Sequence, residues 1–408
     1  MRPIRIRTFY PADPLGMVPG GVDTFIRGII KFAPDDIEFS LVGMTTDPEA
    51  RPTGRWTRCH LGAREFEFFP VVCVANPATR LRIPLSLRYT LGTALRMQRL
   101  RHGFDIFEFH RVEPALLFLT DPQPKNAFFH QDMAVIRAEK ADIMWRHMPA
   151  MYFFLERCVV RRLASVWCVR QEGVRALRER FPAKAGVIDF IPTWVDADVF
   201  SPVAAPDRHL LRSRFADELG ISIQSTWVIS VGRLDTQKDP GLLLSAIARV
   251  RAAGLNVCWL VVGDGVLRAA LERQVASLGL KDRVRFLGLK RPDEIARLLR
   301  AADVFALSSA YEGMPMALLE ALGSGLPVVT TDVGEVRRVV QSGVNGLIAT
   351  DRGEAVYAAC LTEVVNHRER LRGAPAVAAV QNYRPARVLG AVYDRYRQLA
   401  RRQASRPG

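Results

Sequence analysis

The sequence lacks the features that mark a secreted or membrane-spanning chain. Its opening residues are basic but contain no apolar run of signal length, and no later run approaches the roughly 20 apolar residues that cross a bilayer. The six cysteines are scattered, without the close pairs found in zinc sites and small disulfide scaffolds. We therefore expect reduced thiols and no metal site, and we predict a cytoplasmic location.

The bulk composition predicts a folded protein of two domains. A chain of 408 residues exceeds what one hydrophobic core usually supports, so two domains of roughly 200 residues are expected. The net charge of +15 makes the surface attractive to anions. Charge alone does not choose between nucleic acid, acidic lipid and a phosphorylated substrate.

Strand-like and helix-like segments alternate along the whole chain. The opening run IRIRTFY is followed by Gly16, Gly20 and Gly21 and then by a helical pattern, which indicates a strand, a glycine loop and a helix. Such alternation predicts parallel sheets covered on both faces, and the proline-rich stretch 186–206 separates two series of them. The predicted fold class is α/β, with two Rossmann-like doubly wound domains facing a cleft. Predicted boundaries are 1–200, 201–382 and a C-terminal helix with a tail at 383–408, which is expected to pack back towards the first domain.

The strongest functional signal is the segment 308–335, in which Glu312 and Glu320 are separated by seven residues. Gly313 and Pro315 between them indicate a loop that turns into a helix, whose positive end suits an anion. From inside that helix Glu320 could accept both hydroxyl hydrogens of a ribose. Glu312, in the loop, could reach hydroxyls of a transferred sugar. For an isolated pair, two ordinary solvated helix charges would be the alternative.

This segment resembles the signature of glycosyltransferase family 4, the retaining nucleotide-sugar transferases of the glycosyltransferase B fold. The resemblance spans nearly the whole chain and is densest between Gly186 and Gly346. It implies transfer of a sugar from a nucleoside diphosphate to a hydroxyl of a glycan or lipid-linked acceptor, with no cofactor and no metal. Domain 1–200 would then bind the acceptor, and domain 201–382 the sugar nucleotide.

The resemblance also implies roles for residues upstream of this segment. Gly232, Arg233 and Lys238 follow a predicted strand, and the two cations would clamp the donor diphosphate and neutralise it as it departs. The turn VVGDG and the strand VRFLG complete the donor site. The predicted donor-binding set is Gly20, Gly21, Gly232, Arg233, Lys238, Gly263, Asp264, Gly265, Leu287, Glu312, Gly313, Met314, Pro315, Met316 and Glu320.

In the first domain, Gly20 and Gly21 would let the backbone approach a ligand closely. His130 matches a histidine that the family directs at the transferred sugar, and it joins Arg233, Lys238 and Glu312 as the predicted catalytic set. His110 and Arg111, at the end of another strand, are candidates for acceptor binding. A structural role is the alternative for each histidine.

Some residues depart from the family pattern. Thr193 and Trp194 replace the usual Asn-Gly before Val-Asp, and Arg337 and Arg338 stand in a loop that is usually acidic. Asp196 and Asp198 form a DxD, which binds a divalent cation in the other large transferase fold. Because this DxD lies between the predicted domains, we interpret it as a hinge.

The stretch from Ala78 to Phe104 predicts a membrane surface as a further partner. It contains six arginines interleaved with leucines and no acidic residue, which suits a peripheral enzyme at the inner face of the membrane. A solvated basic face on a core helix is the alternative. Nucleic acid is not expected. Rival functions are a sugar-nucleotide epimerase, a nicotinamide-dependent reductase and a non-catalytic basic binding protein.

Overall fold

The computed structural model describes residues 2–16, 21–74, 83–130 and 148–405. The chain forms two compact units. Unit 1 comprises Met1–Pro192 together with Pro385–Gly408, and unit 2 comprises Thr193–Arg384. The predicted boundary lies at residues 200 and 201, whereas the observed division falls between Pro192 and Thr193. The stretch 193–200 joins unit 2 because Val195 and Phe200 are buried in its core.

In its described part, unit 1 contains an eight-stranded sheet in the order β3-β4-β2-β1-β5-β6-β7-β8. All neighbours pair in parallel except β3 and β4, which form an antiparallel edge. The strands are β1 (Ile4–Phe9), β2 (Ile37–Thr45), β3 (Thr57–Leu61), β4 (Arg64–Cys73), β5 (Ile106–Phe109), β6 (Lys125–Phe129), β7 (Ser165–Cys168) and β8 (Ile188–Phe190). Among the described residues before 192, the α-helices are α1 (Gly21–Lys31), α2 (Leu85–Ala94), α3 (Met97–Leu100), α4 (Val112–Ala115), α5 (Pro149–Val160) and α6 (Gln171–Arg180).

Unit 2 contains a parallel six-stranded sheet among its residues, in the order β11-β10-β9-β12-β13-β14. Its strands are β9 (Thr226–Val231), β10 (Val257–Val262), β11 (Val284–Gly288), β12 (Val304–Leu307), β13 (Val328–Thr331) and β14 (Gly346–Ala349). Its helices are α7 (Ala205–Leu219), α8 (Pro240–Ala252), α9 (Arg268–Ser277), α10 (Pro292–Ala301), α11 (Met316–Gly323), α12 (Glu354–Asn366), α13 (Arg368–Leu371) and α14 (Ala374–Ala379).

The helices cover both faces of the second sheet. Because side chains alternate along a strand, Trp227 and Ile229 point into one core while Val228 points into the other. The first core also contains Leu318 of α11, and the second contains Leu243 of α8. The central strand β10 is accordingly apolar and buried throughout, as a parallel sheet covered on both faces requires. The predicted fold class of two parallel-sheet α/β domains is confirmed.

The last helix, α15 (Pro385–Ala404), returns to unit 1. The Tyr393 hydroxyl donates to the carbonyl of Ile29 at 2.8 Å, and the Arg397 guanidinium pairs with Asp36 at 2.7 Å. The Tyr396 hydroxyl donates to the buried Glu108 carboxylate in β5. The chain terminus is thus anchored to the sheet with which the chain begins.

Candidate active site

The candidate site in unit 2 lies where the strand order reverses. From β9 the chain moves through β10 to β11 at one edge, and then returns to β12 on the other side of β9. The loops that follow β9 and β12 therefore leave the carboxyl ends of neighbouring strands in opposite directions. This is the position at which doubly wound sheets bind their ligands.

The two loops bring Lys238 and Glu312 together. The Lys238 Nζ donates to Glu312 Oε1 at 2.5 Å, and the Ser309 hydroxyl donates to the same oxygen at 2.7 Å. The Glu312 side chain is 8% exposed and that of Lys238 is 22% exposed. The carboxylate is thus held by two donors, and the ammonium remains accessible to a second anion.

Arg233 is the exposed member of the predicted clamp. Its guanidinium is 47% exposed and contacts Asp235 at 3.1 Å and the Gln237 amide oxygen at 2.9 Å. The amide nitrogen of Gln237 donates to the carbonyl of Tyr311 at 3.2 Å, which ties the β9 loop to the β12 loop. Arg233 therefore presents a charge to solvent from a loop whose position is fixed.

Arg352 holds the loops after β9 and β12 together. Its guanidinium donates to the carbonyl of Ser309 at 2.6 Å and pairs with the carboxylate of Asp239. Asp239 has a left-handed backbone, with φ of 42°, and its side chain caps α8 by accepting from the Leu242 amide at 3.3 Å. Because Asp239 directly follows Lys238, this contact orients the lysine.

Three glycines allow the loops to approach closely. A Cβ on Gly263 would lie 1.9 Å from the carbonyl oxygen of Gly232, and one on Gly265 would lie 2.5 Å from that of Leu234. A Cβ on Gly334 would lie 1.9 Å from the carbonyl oxygen of Gly313. Any side chain at these positions would push apart the backbone that carries Arg233 and Glu312. The glycines after β10 are therefore needed for the shape of the site.

Helix α11 begins with Met316, so Pro315 lies at its N-cap, one residue before the predicted first turn. Buried Met314 accepts a hydrogen bond from Thr193, one of the two residues that depart from the family pattern, at 3.2 Å. Glu320 lies in the second turn, half-buried, and no described residue donates a hydrogen bond to its carboxylate. The apolar surroundings raise the pKa of Glu320 to about 7. An unpaired carboxylate of this kind is suited to accept from a ligand.

Two predicted donor residues are engaged elsewhere. The Asp264 carboxylate accepts from the Gly265 amide at 2.7 Å and pairs with Arg268 at 2.9 Å, so it shapes its own turn. Leu287 is half-buried in β11 and packs against the core.

The two arginines that depart from the family pattern form ion pairs within their own loop. Arg337 pairs with Asp332 at 2.6 Å, and Arg338 pairs with Glu335 at 2.7 Å. These contacts neutralise the unusual basic residues.

The DxD also shapes its own turn. Asp196 Oδ1 accepts from the Asp198 amide at 3.2 Å, and the carbonyl of Asp196 accepts from the Phe200 amide at 2.8 Å. Across the described ranges, no group of three or more His, Cys, Asp or Glu side chains is arranged to hold a metal ion. The hinge interpretation of the DxD stays a prediction.

We expect transfer to survive chelation, because in the predicted reaction Arg233 and Lys238 neutralise the charge on the leaving phosphate. Turnover measured with and without EDTA, after exhaustive dialysis, tests this. An Asp196→Asn variant should then match the native chain in both conditions. Activity that disappears with EDTA and returns with manganese would favour a metal-dependent reaction instead.

In unit 1 the predicted residues form a separate group at the ends of β5 and β6. His110 Nδ1 lies 2.8 Å from His130 Nε2, and the Arg111 guanidinium pairs with Glu113 at 2.9 Å. Both ring nitrogens of His110 are engaged within the protein, which does not favour its direct contact with an acceptor. Gly21 begins α1 and a Cβ there would meet no atom within 4 Å, whereas Gly20 lies outside the described residues.

Sequence reasoning missed the residues that support the site. Gln237 and Arg352 hold the two loops together, but their partners are 74 and 43 residues away in sequence. Ser309 holds Glu312 from only 3 residues away. Ser309 could have been noticed, since it closely follows a buried strand on the same edge as Glu312. Glu108 was also detectable, because a carboxylate within an apolar strand needs partners.

Part of the chain is similar in sequence to known glycosyl transferases. Residues 212–374 match the family model described as "Glycosyl transferases group 1". D-inositol 3-phosphate glycosyltransferase of Nocardia farcinica is 32% identical over 234 residues, which are 55% of this chain and 50% of that protein. The 2-deoxystreptamine glucosyltransferase of Streptomyces kanamyceticus is 32% identical over 52% of this chain and 54% of its own length. The chain thus spans about half the length of these curated relatives.

Solved structures match over nearly the whole chain. Sucrose-phosphate synthase from Thermosynechococcus elongatus aligns with a TM-score of 0.77 at 19% identity, covering 98% of this chain and 99% of that one. Anabaena HepE in complex with UDP-glucose aligns with a TM-score of 0.69 at 18% identity, covering 99% and 100%. The fold is therefore that of the two-domain glycosyltransferases. The segment 212–374, which carries Arg233, Lys238, Glu312 and Glu320, matches the group 1 glycosyl transferases.

Proposed function

We propose that this protein is a retaining glycosyltransferase that moves a sugar from a nucleoside diphosphate to a hydroxyl of a glycan or lipid-linked acceptor. The observation that carries the proposal is the pair of cations, Arg233 and Lys238, beside Glu312 at the reversal of strand order in unit 2. The segment that matches the group 1 model contains all three residues. Retention follows from the resemblance to family 4.

The contacts of Lys238 support its assignment to the donor diphosphate. Its ammonium has three donor hydrogens and gives one to Glu312, so others remain for phosphate oxygens. Glu312 keeps the lysine in place before the donor arrives. Once a phosphate shares the ammonium, the carboxylate can accept from hydroxyls of the sugar. Arg233, half-exposed on the neighbouring loop, would supply the bidentate contact to the leaving phosphate.

Thermal stabilisation by a panel of sugar nucleotides tests the proposal. UDP-glucose is the first to try, because HepE binds it. A ligand at a hundredfold over its dissociation constant should add roughly 2.7 kcal/mol to the free energy of unfolding. A product assay with a hydroxyl acceptor then gives the anomeric configuration. Donor conversion without an acceptor would favour an epimerase, and the absence of stabilisation by any sugar nucleotide would contradict the proposal.

We also propose that the enzyme works at the inner face of the membrane. One face of α2 presents leucines spaced four residues apart, Leu87 and Leu91 in the helix and Leu95 at its C-cap. Their side chains are 53%, 59% and 76% exposed, respectively. Arg99 lies exposed nearby, while Arg80 and Arg82 fall outside the described residues. An apolar face beside basic residues suits an anionic bilayer surface. Among the helices that the structure describes, none is long and apolar enough to span a bilayer.

Membrane binding is expected to fall when this surface is changed. Each arginine near an anionic surface contributes about 1 kcal/mol, and salt screens it. The variant Leu91→Glu with Arg99→Glu should lose co-sedimentation with anionic vesicles at low salt. Arg88 and Arg96 are left intact because both donate to backbone carbonyls.

The matched control is Leu210→Glu, which changes a 52%-exposed leucine on α7 of unit 2. This variant should bind anionic vesicles like the native chain, and neither should bind neutral vesicles. Equal partitioning of the native chain and the α2 variant would remove the membrane proposal and favour a water-soluble acceptor.

A further inference from the structure

A buried chain of hydrogen bonds runs through unit 1 and ends at His130. Glu108 is 1% exposed in the middle of β5, and its carboxylate accepts from three donors. Thr8 and His110 Nε2 donate to Oε1, each at 3.0 Å, and the Tyr396 hydroxyl donates to Oε2. The other ring nitrogen of His110 lies 2.8 Å from His130 Nε2.

With Glu108 as a carboxylate and His110 as a neutral ring, these contacts set the hydrogen positions along the chain. A carboxylate is an acceptor only, so His110 carries its hydrogen on Nε2. In a neutral His110 the Nδ1 atom is then an acceptor, and His130 must donate from Nε2. The Nδ1 atom of His130 is left with a free lone pair, and no described residue donates to it.

Aromatic rings fix the plane of both imidazoles. The His110 ring stacks on Phe128 at a centroid distance of 4.9 Å and an angle of 7°. The hydrogen-bonded His130 ring is nearly coplanar with His110, with centroids 5.1 Å apart and planes at 16°. Phe25 places its edge against His130 at 4.9 Å. Burial, and then the proximity of His110, lower the pKa of His130 well below its ordinary value, so this ring is neutral at neutral pH.

We propose that Glu108, His110 and Tyr396 are positioning residues that hold His130 in the tautomer with hydrogen on Nε2, so that Nδ1 accepts from a sugar hydroxyl. The ligand part rests on the proposed function. A metal-ligating or catalytic histidine is oriented in the same manner by the hydrogen bond of its second nitrogen. The C-terminal helix thereby contributes to the site through Tyr396, although it lies far from His130 in sequence.

Ring nitrogen signals measure the tautomer directly. The chain has seven histidines, so labelling their rings with ¹⁵N gives a long-range ¹H–¹⁵N spectrum with few signals. His130→Gln assigns the His130 signals. The native chain is expected to show a protonated Nε2 and an unprotonated Nδ1 at His130. A protonated Nδ1, or a mixture of both tautomers, would overturn the proposal.

Two substitutions test the positioning residues. In His110→Phe, which keeps a ring on Phe128, His130 loses its acceptor and should populate both tautomers, while turnover falls by about 10- to 100-fold with little change in donor KM. Tyr396→Phe should shift the ring signals of both histidines. Its matched control is Tyr393→Phe, which removes another buried hydroxyl contact of α15 but should leave these signals unchanged. Identical spectra from the two tyrosine variants would exclude Tyr396 from the arrangement.

The ligand part has its own readout. A sugar nucleotide that stabilises the protein should shift the His130 Nδ1 signal. If binding is registered by thermal stabilisation and Nδ1 does not move, the role of His130 is overturned while the proposed function stands. If no sugar nucleotide binds, the proposed function fails, and the tautomer measurement alone then decides whether the positioning arrangement exists.

Discussion

Replacing Arg233 with alanine is expected to lower turnover by about 10²- to 10³-fold, because one of the two cations proposed to neutralise the departing diphosphate is lost. The free energy of unfolding should change by less than about 1 kcal/mol, since the guanidinium is half-exposed and its ion pair with Asp235 is a surface pair. Steady-state kinetics and thermal melts of the same samples give both values. The matched control is Arg249→Ala, which removes a 54%-exposed arginine from a surface pair with Glu354.

The same loss of turnover is expected for Lys238→Ala, but this variant should also be less stable than the native chain. Glu312 is buried and would retain only its contact with Ser309, so the variant should lose roughly 3 kcal/mol of stability, the low end for a buried pair that loses one partner. Adding Glu312→Ala should recover part of the stability and none of the turnover. Unchanged turnover in either single variant would contradict the assignment of these cations to the donor diphosphate.

The second sheet was predictable because its strands are buried on both faces. Apolar runs such as WVISVG and VVGDG end in glycines at the carboxyl edge, and polar side chains follow them directly. This pattern predicted Arg233 and Lys238 directly after a strand, and Glu312 in a loop that turns into a helix. The observed strand order brings the two loops together, because β9 and β12 are neighbours in the sheet.

The partners of the site residues could not be predicted in this manner. The contacts of Arg352 with Ser309 and Asp239 depend on how loops pack, and no local pattern records them. The observed division of the chain falls eight residues before the predicted boundary for a related reason. Val195 and Phe200 are typical of a linker until the core that buries them is known. Asp264 was assigned to the donor from its place in a glycine turn, yet it pairs with Arg268 one helical turn later.

Donor affinity is expected to rise with pH up to about 7, because in the proposed site the ribose hydroxyls donate to the ionised form of Glu320. Burial raises the pKa of Glu320 to about 7, so the free carboxyl is protonated in mildly acidic solution. Each pH unit below 7 should then weaken donor binding by up to about tenfold, with a plateau above 7. Titration with a sugar nucleotide is suited to this measurement, since its diphosphate does not change charge in this range.

Glu320→Gln should remove this pH dependence and weaken donor binding on the plateau by roughly 1 to 3 kcal/mol.

The free energy of unfolding of the native chain should change with pH in the opposite direction to donor affinity. The folded state retains the Glu320 proton above the ordinary pKa of 4.5, whereas the unfolded chain releases it. The free energy of unfolding therefore falls as pH rises from about 4.5 to about 7. Above pH 7 the full cost of a carboxylate in apolar surroundings remains. Without ligand, the difference in melting temperature between Glu320→Gln and the native chain should therefore shift in favour of the variant as pH rises from 5 to 8. The control Glu363→Gln, at a 56%-exposed glutamate of α12, should track the native chain in both measurements. A donor affinity that is independent of pH in the native chain, or equal in the native chain and Glu320→Gln, would remove Glu320 from the ribose site.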